Sequence, residues 1–324
     1  MQNEVAVVVP CYNAEATLQR ALDSVYAQTY QGFRVCAVDD QSSDRTLLVL
    51  AANAHRCSYV SQVHRGVAAA RNRAIRMSNS PFIAFLDADD EWLPLKLERQ
   101  ISFLKDQPNI GLVCSRCVLD RSTNGDSRIF LGNLPRSGRL FQTLALNCFV
   151  FTPTVVIRRD CLDEVGLFQE SLSVSEDFNL WLRIAARWGI AYLPEPLAIV
   201  HRRPGSLSAT ITDAERLRNG IAALEDVQTN CGHLPSPEAG ALREALAKRF
   251  YFYGSFLLKS GDKRACRSAL TASLKLQKSN WRAFAKLAMS FLPAGLFRPL
   301  SNFWRRAFGK VPDSTETPWA RTDA

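Results

Sequence analysis

Four acidic side chains stand within five positions at the end of the apolar run in PFIAFLDADDEW, residues 81–92. Like charges repel and a buried carboxylate is costly to desolvate, so this cluster calls for a positive partner. Asp87 and Asp89 lie two positions apart, and in an extended segment their side chains point to the same side. Carboxylate oxygens suit a hard divalent cation such as Mg²⁺ or Mn²⁺. We expect Asp87 and Asp89 to be metal ligands, whereas Asp90 and Glu91 fit turn or helix-cap positions.

The segments that must position these acids alternate between strand and helix patterns. EVAVVVP (4–10), FRVCAV (33–38) and FIAFL (82–86) are continuous apolar runs, as strands buried on both faces require. The alternation predicts an α/β fold with a mostly parallel sheet flanked by helices. Ligands of such sheets bind beyond the carboxyl ends of the strands. Polar residues follow all three strands there, so we expect one shared site at this edge.

The sequence pattern changes near residue 206: strand-like apolar runs stop, and apolar residues then recur at helical spacing. Residues 240–310 contain 15 Lys and Arg but 2 Asp and Glu, a net charge of +13, against +9 for the whole chain. This asymmetry indicates regions with different tasks. We expect an α/β domain over residues 1–208, a basic helical region over 209–310, and a disordered tail over 311–324.

The composition favours a cytoplasmic protein. The nine cysteines are scattered and odd in number, which indicates reduced thiols rather than a disulfide framework. The start MQNEVAVVVP has neither the basic residues nor the long apolar stretch of a secretory signal. No uncharged apolar run reaches the roughly 18 residues of a membrane span. The lone pair in Cys114-Ser-Arg-Cys117 lies in a strand-like segment, and we expect two core thiols there rather than a zinc site.

A series of motifs carries a resemblance that no single motif would support. The motifs are VVVPCYNAEATLQRALDSVYAQTY (7–30), VDDQSSDRT (38–46), GVAAARNRAI (66–75), FLDADDEW (85–92), TPTVVIRRDCLDEVGLFQESL (152–172), SEDFNLWLRI (175–184) and RRPGSLS (202–208). In this order and spacing they closely resemble the family 2 inverting glycosyltransferases of bacterial glycan biosynthesis, which have the Rossmann-like GT-A fold. The resemblance covers roughly residues 4–208.

The resemblance implies a nucleotide-sugar donor, expected to be a UDP-sugar, and a hydroxyl acceptor on a glycan or lipid-linked intermediate of a cell-surface polysaccharide. The departing nucleoside diphosphate is anionic, and a divalent cation at Asp87 and Asp89 would neutralise it as a Lewis acid. The resemblance also implies a set of nucleotide-binding residues. They are Pro10, Tyr12, Asp39, Asp40, Gly66, Arg71, Asp87 and Ala88.

Two members of this set have more specific expected contacts. Asp40 is favoured over its neighbour Asp39 to accept a hydrogen bond from the base, although both acids would also suit a turn. Arg71 is expected to pair with phosphate as a charged fork. The other cations of its helix, Arg73 and Arg76, are expected to be solvent-exposed.

Inverting transfer needs a base that takes the proton of the acceptor hydroxyl. The resemblance assigns this role to Asp177 and gives Glu176 an acceptor-binding or orienting role. The alternative is that both are acids favoured by the dipole at a helix N-terminus, which accounts well for Glu176.

The segment HRRPGS, residues 201–206, departs from the family pattern. His201 is displaced from the usual histidine position, and we do not expect it to bind metal. Arg202 and Arg203 are expected to steady the diphosphate by charge.

In residues 281–310, apolar and aromatic side chains alternate with Arg and Lys, and no acid occurs. This pattern predicts an interfacial helix pair and hence peripheral contact with the anionic inner face of the plasma membrane, a location that suits a lipid-linked acceptor. An amphipathic helix that packs on the catalytic domain explains the pattern equally well. A nucleic-acid partner is not expected, because no nucleic-acid-binding motif accompanies the charge.

Two other functions match parts of the sequence. A sugar-1-phosphate nucleotidyltransferase would share the α/β core, but PCYNAEAT lacks the Gly-rich loop with a basic residue that should follow the first strand. A non-catalytic nucleotide-sugar-binding scaffold would explain the helical tail. The intact acids Asp87, Asp89 and Asp177 argue against it.

Overall fold

The computed structural model describes residues 4–121, 126–129, 137–201, 210–232 and 234–292. The chain divides into two compact units. Unit 1 comprises Met1–Phe141 and Val150–Thr210, and unit 2 comprises Gln142–Phe149 and Ile211–Ala324. Arg202, Arg203 and the predicted tail 311–324 lie outside the described residues.

Unit 1 is built on a ten-stranded sheet. The strands are β1 (Val5–Cys11), β2 (Phe33–Asp39), β3 (Cys57–Ser61), β4 (Phe82–Phe85), β5 (Glu91–Trp92), β6 (Ile110–Arg121), β7 (Asp126–Ile129), β8 (Ser137–Gly138), β9 (Val156–Arg158) and β10 (Gly189–His201). Their order is β3-β2-β1-β4-β9-β6-β10-β5, with β7 beside β6 and β8 beside β10. The pairings among β3, β2, β1 and β4 and between β6 and β10 are parallel, while β9 runs antiparallel to both of its neighbours.

The helices between β1 and β10 broadly follow the predicted alternation with the strands. They are α1 (Leu18–Tyr26), α2 (Thr46–Ala52), α3 (Val67–Arg76), α4 (Lys96–Asp106), α5 (Phe141–Leu146), α6 (Arg159–Val165) and α7 (Glu176–Ala185), with a 3₁₀ turn at Thr152–Thr154. All of α5 except Phe141 belongs to unit 2. α1 shows why these segments are helical: Leu18, Ala21, Leu22 and Val25 recur at helical spacing and are all buried against the sheet.

The strand register brings the predicted polar segments to one edge of the sheet. Cys11 of β1 lies opposite Asp39 of β2, and the backbone N–H of Asp40 donates to the carbonyl of Cys11 over 2.8 Å. On the other side of β1, the N–H of Leu86 donates to Val8, so Asp87 follows directly beyond the sheet. The carboxyl ends of β1, β2 and β4 therefore converge, as expected for parallel strands.

The apolar-run criterion finds β1, β2 and β4 but misses the edge strand β3 and the central strand β9. Both are short, and β3 is partly exposed at the sheet edge, so neither forms a continuous apolar run. β10 contains Pro194 and Pro196, and its register with β6 shifts around Pro196. Proline cannot donate to a strand ladder, so the pairing is interrupted there.

The described part of unit 2 beyond residue 210 is helical. Its helices are α8 (Asp213–Asn230), α9 (Ser236–Ser260), α10 (Lys263–Leu276) and α11 (Trp281–Met289). A capping box of Thr212 and Glu215 starts α8, and the side chains of Asp262 and Asn280 cap α10 and α11. Gly261 turns the chain between α9 and α10 with φ +90°, a conformation that glycine adopts without strain.

The aromatic segment of α9, residues 250–257, contributes to the core of unit 2. Tyr251, Leu257 and Leu258 pack with Leu270 of α10 and Ala283 of α11. Among the described residues, no helix combines the length and apolarity needed to cross a membrane.

Candidate active site

The positive partner of the strand-end acids is an arginine of the chain itself. Arg71 lies on α3 and donates from Nη2 to Oδ1 of Asp87 over 2.7 Å. The guanidinium is buried, while the Asp87 carboxylate is partly exposed. A charge-assisted bond of this length fixes the acid in place without covering it.

The second arm of Arg71 reaches the other acid pair of the sequence. Its Nη1 donates to Oε1 of Glu176, the first residue of α7, over 2.7 Å, and both side chains are buried. One guanidinium thus joins the end of β4 to the start of α7, although Arg71 and Glu176 lie 105 positions apart. Burial alone would lower the pKa of Arg71, but Asp87 and Glu176 outweigh it and raise that pKa above its ordinary value.

Aromatic packing holds Arg71 in this position. The guanidinium lies 5.4 Å from the ring centroid of Phe168, which packs edge-on against Phe85 and Trp181. Asn72, the next residue of α3, donates to the carbonyl of Phe168 and accepts from its N–H, each over 2.9 Å. Sequence reasoning missed these supporting residues, although Asn72 and Phe168 stand inside motifs that carry the family resemblance.

Glu176 and Asp177 occupy different environments at the start of α7. Burial raises the pKa of Glu176 to about 7, the charge of Asp177 adds to this rise, and Arg71 opposes it. Asp177 is only partly buried, and its Oδ2 accepts a hydrogen bond from the hydroxyl of Thr152 over 3.0 Å. Asp177 is therefore the more accessible carboxylate of the pair.

Asp40 organises the loop before α3. Its Oδ1 accepts from the N–H of Arg65 over 3.0 Å and from the side chain of Gln62 over 2.7 Å. Its Oδ2 accepts from the N–H of Gly66 over 2.8 Å and lies 2.9 Å from Nδ1 of His64. The carboxylate is buried among these donors, so its contact with a base stays a prediction.

Asp39 is also buried and bonded within the chain. Its side chain accepts from the N–H of Ser42 over 3.3 Å and from the hydroxyl of Ser61 over 2.8 Å. The two acids that end β2 thus set the shape of the loops around them.

Tyr12 and His64 form an aromatic ledge at the same edge of the sheet. The Tyr12 side chain is exposed, and its ring centroid lies 4.5 Å from that of His64 with 34° between the planes. Gly66 adopts φ +87°, and a Cβ atom added there would meet no atom within 4 Å, so the backbone is open to approach. Pro10 lies buried in β1. Sequence reasoning missed His64, since a lone histidine in a loop gives no signal.

Asp87 and Asp89 offer two partly exposed carboxylates, with the buried Ala88 between them. In the described part of the chain, no three His, Cys, Asp or Glu side chains group together in a way that could hold a metal ion. A cation at this place would thus take two carboxylate ligands from Asp87 and Asp89 and further oxygens from outside the chain. This donor set fits a hard cation that binds together with a phosphate ligand.

The remaining acids of the cluster have structural partners. Asp90 is buried and accepts from the N–H of His201 over 2.9 Å; burial raises its pKa well above the ordinary value, and the charges of Asp89 and Asp87 add to the effect. The His201 ring contacts Glu91 through Nε2 at 2.7 Å and Asp120 through Nδ1 at 2.8 Å. Both nitrogens of His201 are engaged by these carboxylates.

Comparison with known proteins places these motifs in a family. The family model described as Glycosyl transferase family 2 matches residues 6–166. The UDP-Glc:alpha-D-GlcNAc-diphosphoundecaprenol beta-1,3-glucosyltransferase WfgD of Escherichia coli is 34% identical over 183 residues, 56% of this chain and 69% of that protein. The amylovoran biosynthesis glycosyltransferase AmsB of Erwinia amylovora is 29% identical over 220 residues, which cover 60% of this chain and 69% of that protein.

Solved structures share the fold at lower identity. Staphylococcus aureus TarS (residues 1–349), in complex with UDP-GlcNAc, matches with a TM-score of 0.65 and 19% identity, over 94% of this chain and 92% of that one. The mannosyltransferase PcManGT from Pyrobaculum calidifontis, in complex with GDP-Man and Mn²⁺, matches with a TM-score of 0.59 and 20% identity, over 94% and 83%. The predicted fold class is confirmed.

Proposed function

Because the chain belongs to glycosyl transferase family 2, we propose that it transfers a sugar with inversion from a UDP-sugar to a hydroxyl of a glycan or lipid-linked acceptor. The observation that carries this proposal is the placement of Arg71 between Asp87 and Glu176. It holds the acids at the end of β4 and the acid pair of α7 within the span of a single side chain. This contact supports a site in which one acid group would act at the leaving group and the other at the acceptor.

The donor would lie along the edge formed by β1, β2 and β4. The Tyr12–His64 ledge offers an aromatic face for the base, and Gly66 leaves room for close backbone approach. Asp40 would meet the base and Asp39 would lie beside it, in exchange for part of their present hydrogen bonds. Arg202 and Arg203 are proposed to contact the diphosphate. The names of WfgD, with UDP-Glc, and of the TarS complex, with UDP-GlcNAc, support a uridine nucleotide.

Asp87 and Asp89 are the residues proposed to hold Mg²⁺ or Mn²⁺, and the Mn²⁺ in the PcManGT complex supports this cofactor. When bound, the cation would neutralise charge on the diphosphate as a Lewis acid. Arg71 keeps the Asp87 carboxylate oriented and balances its charge in the protein alone.

Asp177 is proposed as the base. The acceptor oxygen forms its bond to the anomeric carbon as the bond from that carbon to the diphosphate oxygen breaks, and the hydroxyl proton passes to Asp177. The hydroxyl of Thr152 holds Oδ2 of Asp177, and Glu176, fixed by Arg71, orients the start of α7. Each of these contacts limits the positions that the Asp177 carboxylate can adopt.

The proposed setting is polysaccharide biosynthesis at the cytoplasmic, inner face of the plasma membrane. WfgD is named for a diphosphoundecaprenol-linked acceptor and AmsB for amylovoran biosynthesis, which support a lipid-linked or glycan acceptor. The division into a catalytic domain (1–208) and a basic helical region (209–310) is part of this proposal.

Release of nucleoside diphosphate from a panel of UDP-, GDP- and dTDP-sugars tests the function. With Mn²⁺ or Mg²⁺ we expect release from one donor, and loss of release with EDTA, in Asp89→Ala and in Asp177→Asn. Asp106→Ala is the matched control, because Asp106 is an exposed acid at the end of α4. Release of pyrophosphate would instead identify a nucleotidyltransferase, and release that survives both EDTA and Asp89→Ala would contradict the proposed site.

A further inference from the structure

The last described helix of unit 2 turns an apolar face to solvent. Trp281, Phe284 and Phe291 are 49%, 66% and 65% exposed. With the exposed Ala288 they are spaced by three, four and three positions, so they share one side of α11 and of the turn that follows it. We call these four residues the α11 stripe.

The opposite side of α11 is already packed. Ala283 is fully buried in the core of unit 2, Leu287 packs against the same cluster, and Ser290 is fully buried. The aromatic residues of the stripe thus remain exposed although the other side of α11 is packed in the core of unit 2. Large exposed apolar groups that cluster in this way mark an interaction surface.

The helices α10 and α11 are basic. Residues 263–292 contain seven Lys and Arg and no Asp or Glu. The cations Arg264, Lys275, Lys278 and Arg282 are exposed. Two arginines also lie by aromatic rings of the stripe: Arg267 is 4.3 Å from the ring centroid of Phe291, and Arg282 is 5.5 Å from that of Trp281. Any partner of this surface must therefore accept aromatic side chains and supply negative charge.

We infer that the α11 stripe docks on the surface of an anionic lipid bilayer. A short helix with aromatic residues on one side and cations around it lies in the headgroup plane, with the rings inserted and the cations paired with lipid phosphates. An acidic protein groove would satisfy the charge but would have to enclose a convex helix. A bilayer needs no such shape and gives Trp its preferred interfacial position. The inference rests on the proposed function, since a lipid-linked acceptor is presented at such a surface.

Flotation of the full-length protein with lipid vesicles tests this inference. We expect binding to phosphatidylglycerol-containing vesicles and little binding to pure phosphatidylcholine. Trp281→Ser with Phe284→Ser should weaken binding roughly tenfold, because inserted apolar area is lost. Leu48→Ser is the matched control, since Leu48 of α2 is also 66% exposed but lies in unit 1. The control variant should bind like the wild type.

A second variant tests the contribution of the exposed cations to vesicle binding without changing the core of unit 2. Arg264→Glu with Lys278→Glu changes exposed positions and leaves the core of unit 2 intact. It should also weaken binding, and 1 M salt should weaken the binding of the wild type, because the screening length falls from about 10 Å at 0.1 M to about 3 Å. Equal binding of the wild type and both variants would overturn the inference. Loss of self-association in the stripe variant, with no vesicle binding by the wild type, would overturn it in favour of a second copy of the chain.

The vesicle-binding and diphosphate-release experiments distinguish failure of the membrane inference from failure of the proposed function. Diphosphate release without vesicle binding would remove the membrane surface and leave the transferase. Vesicle binding without release from any donor would support the α11 stripe and count against the proposed function.

Discussion

At the scale of single residues, the site depends on the shape of one side chain. Arg71 contacts Asp87 and Glu176 through different nitrogens, each over 2.7 Å. A planar guanidinium has donors in two directions, whereas an ammonium is a point charge on a flexible stem. The arrangement therefore requires arginine and not merely a positive charge.

Arg71→Lys should keep the charge and lose the bridge. Lysine can reach only one carboxylate, so either the buried Glu176 or the partly exposed Asp87 loses its partner. We expect a loss of about 2 kcal/mol in the free energy of unfolding and at least tenfold slower diphosphate release. Urea denaturation and the release assay check this. Arg73→Lys on the exposed side of α3 is the control. Unchanged values in Arg71→Lys would show that the bridge has no role.

The raised pKa of Glu176, about 7 because of its burial, predicts a pH-dependent stability. The native state binds this proton more tightly than the unfolded chain does, because the ordinary pKa of a glutamate is 4.5. The stabilisation is complete below pH 4.5 and is lost as the pH rises through about 7. Relative to Glu176→Gln, the free energy of unfolding of the wild type should fall by on the order of 3 kcal/mol over this pH range. Urea denaturation from pH 5 to pH 8 measures the difference, and a difference that stays constant or grows with pH would contradict the assignment.

At the scale of elements, the acidic loop after β4 is braced from several sides. Arg20 of α1 donates to the carbonyl of Asp89 over 2.8 Å and pairs with Glu91 at 2.9 Å. His201, the last residue of β10, contacts Glu91 and, at the end of β6, Asp120. α1 and β10 thus hold the loop, and β6 supports it through His201, so Asp87 and Asp89 keep partly exposed positions without support from a ligand.

α4 carries a lysine that the site does not use. Lys96 is fully buried, donates from Nζ to Gln100 over 2.7 Å and lies 4.3 Å from the ring centroid of Trp92. Burial lowers its pKa well below the ordinary value. The unfolded chain therefore binds this proton more tightly, and the native state is destabilised at neutral pH. The effect fades as the pH rises toward the ordinary value of 10.5.

Lys96→Met should therefore stabilise the protein at pH 7. The variant leaves Gln100 without its donor, which costs about 1 kcal/mol, but each unit of the depressed lysine pKa is worth about 1.4 kcal/mol. We expect a net gain in the free energy of unfolding at pH 7 and a smaller gain at pH 10. Denaturation at both pH values measures it. The exposed Lys105, paired with Glu4, provides the control Lys105→Met, which should show no gain. Destabilisation at both pH values would contradict the prediction.

At the scale of the whole molecule, the apolar pattern of the sequence predicts the strands and the edge at which they end, but not contacts between distant residues. Apolar runs that end in Asp39-Asp40 and in residues 87–90 were enough to place those acids at one edge, because parallel strands share an edge. The bridge from Arg71 to Glu176 joins residues 105 positions apart, and no periodicity carries that information. The burial of Asp40 likewise depends on a loop, residues 62–66, that has no regular pattern of its own. Sequence thus predicted that these acids share an edge of the sheet, but not the side chains that they contact.

The way the chain divides into two units limits how the units can be exchanged between proteins. Unit 2 includes the eight-residue stretch Gln142–Phe149, so the polypeptide passes between the units three times. Within that stretch Leu144 and Ala145 are buried, and Cys148 lies near Arg249 of α9. A gene cut once at the end of unit 1 would keep this stretch and discard the helices that belong with it. Unit 2 therefore cannot be exchanged intact between two proteins at a single junction.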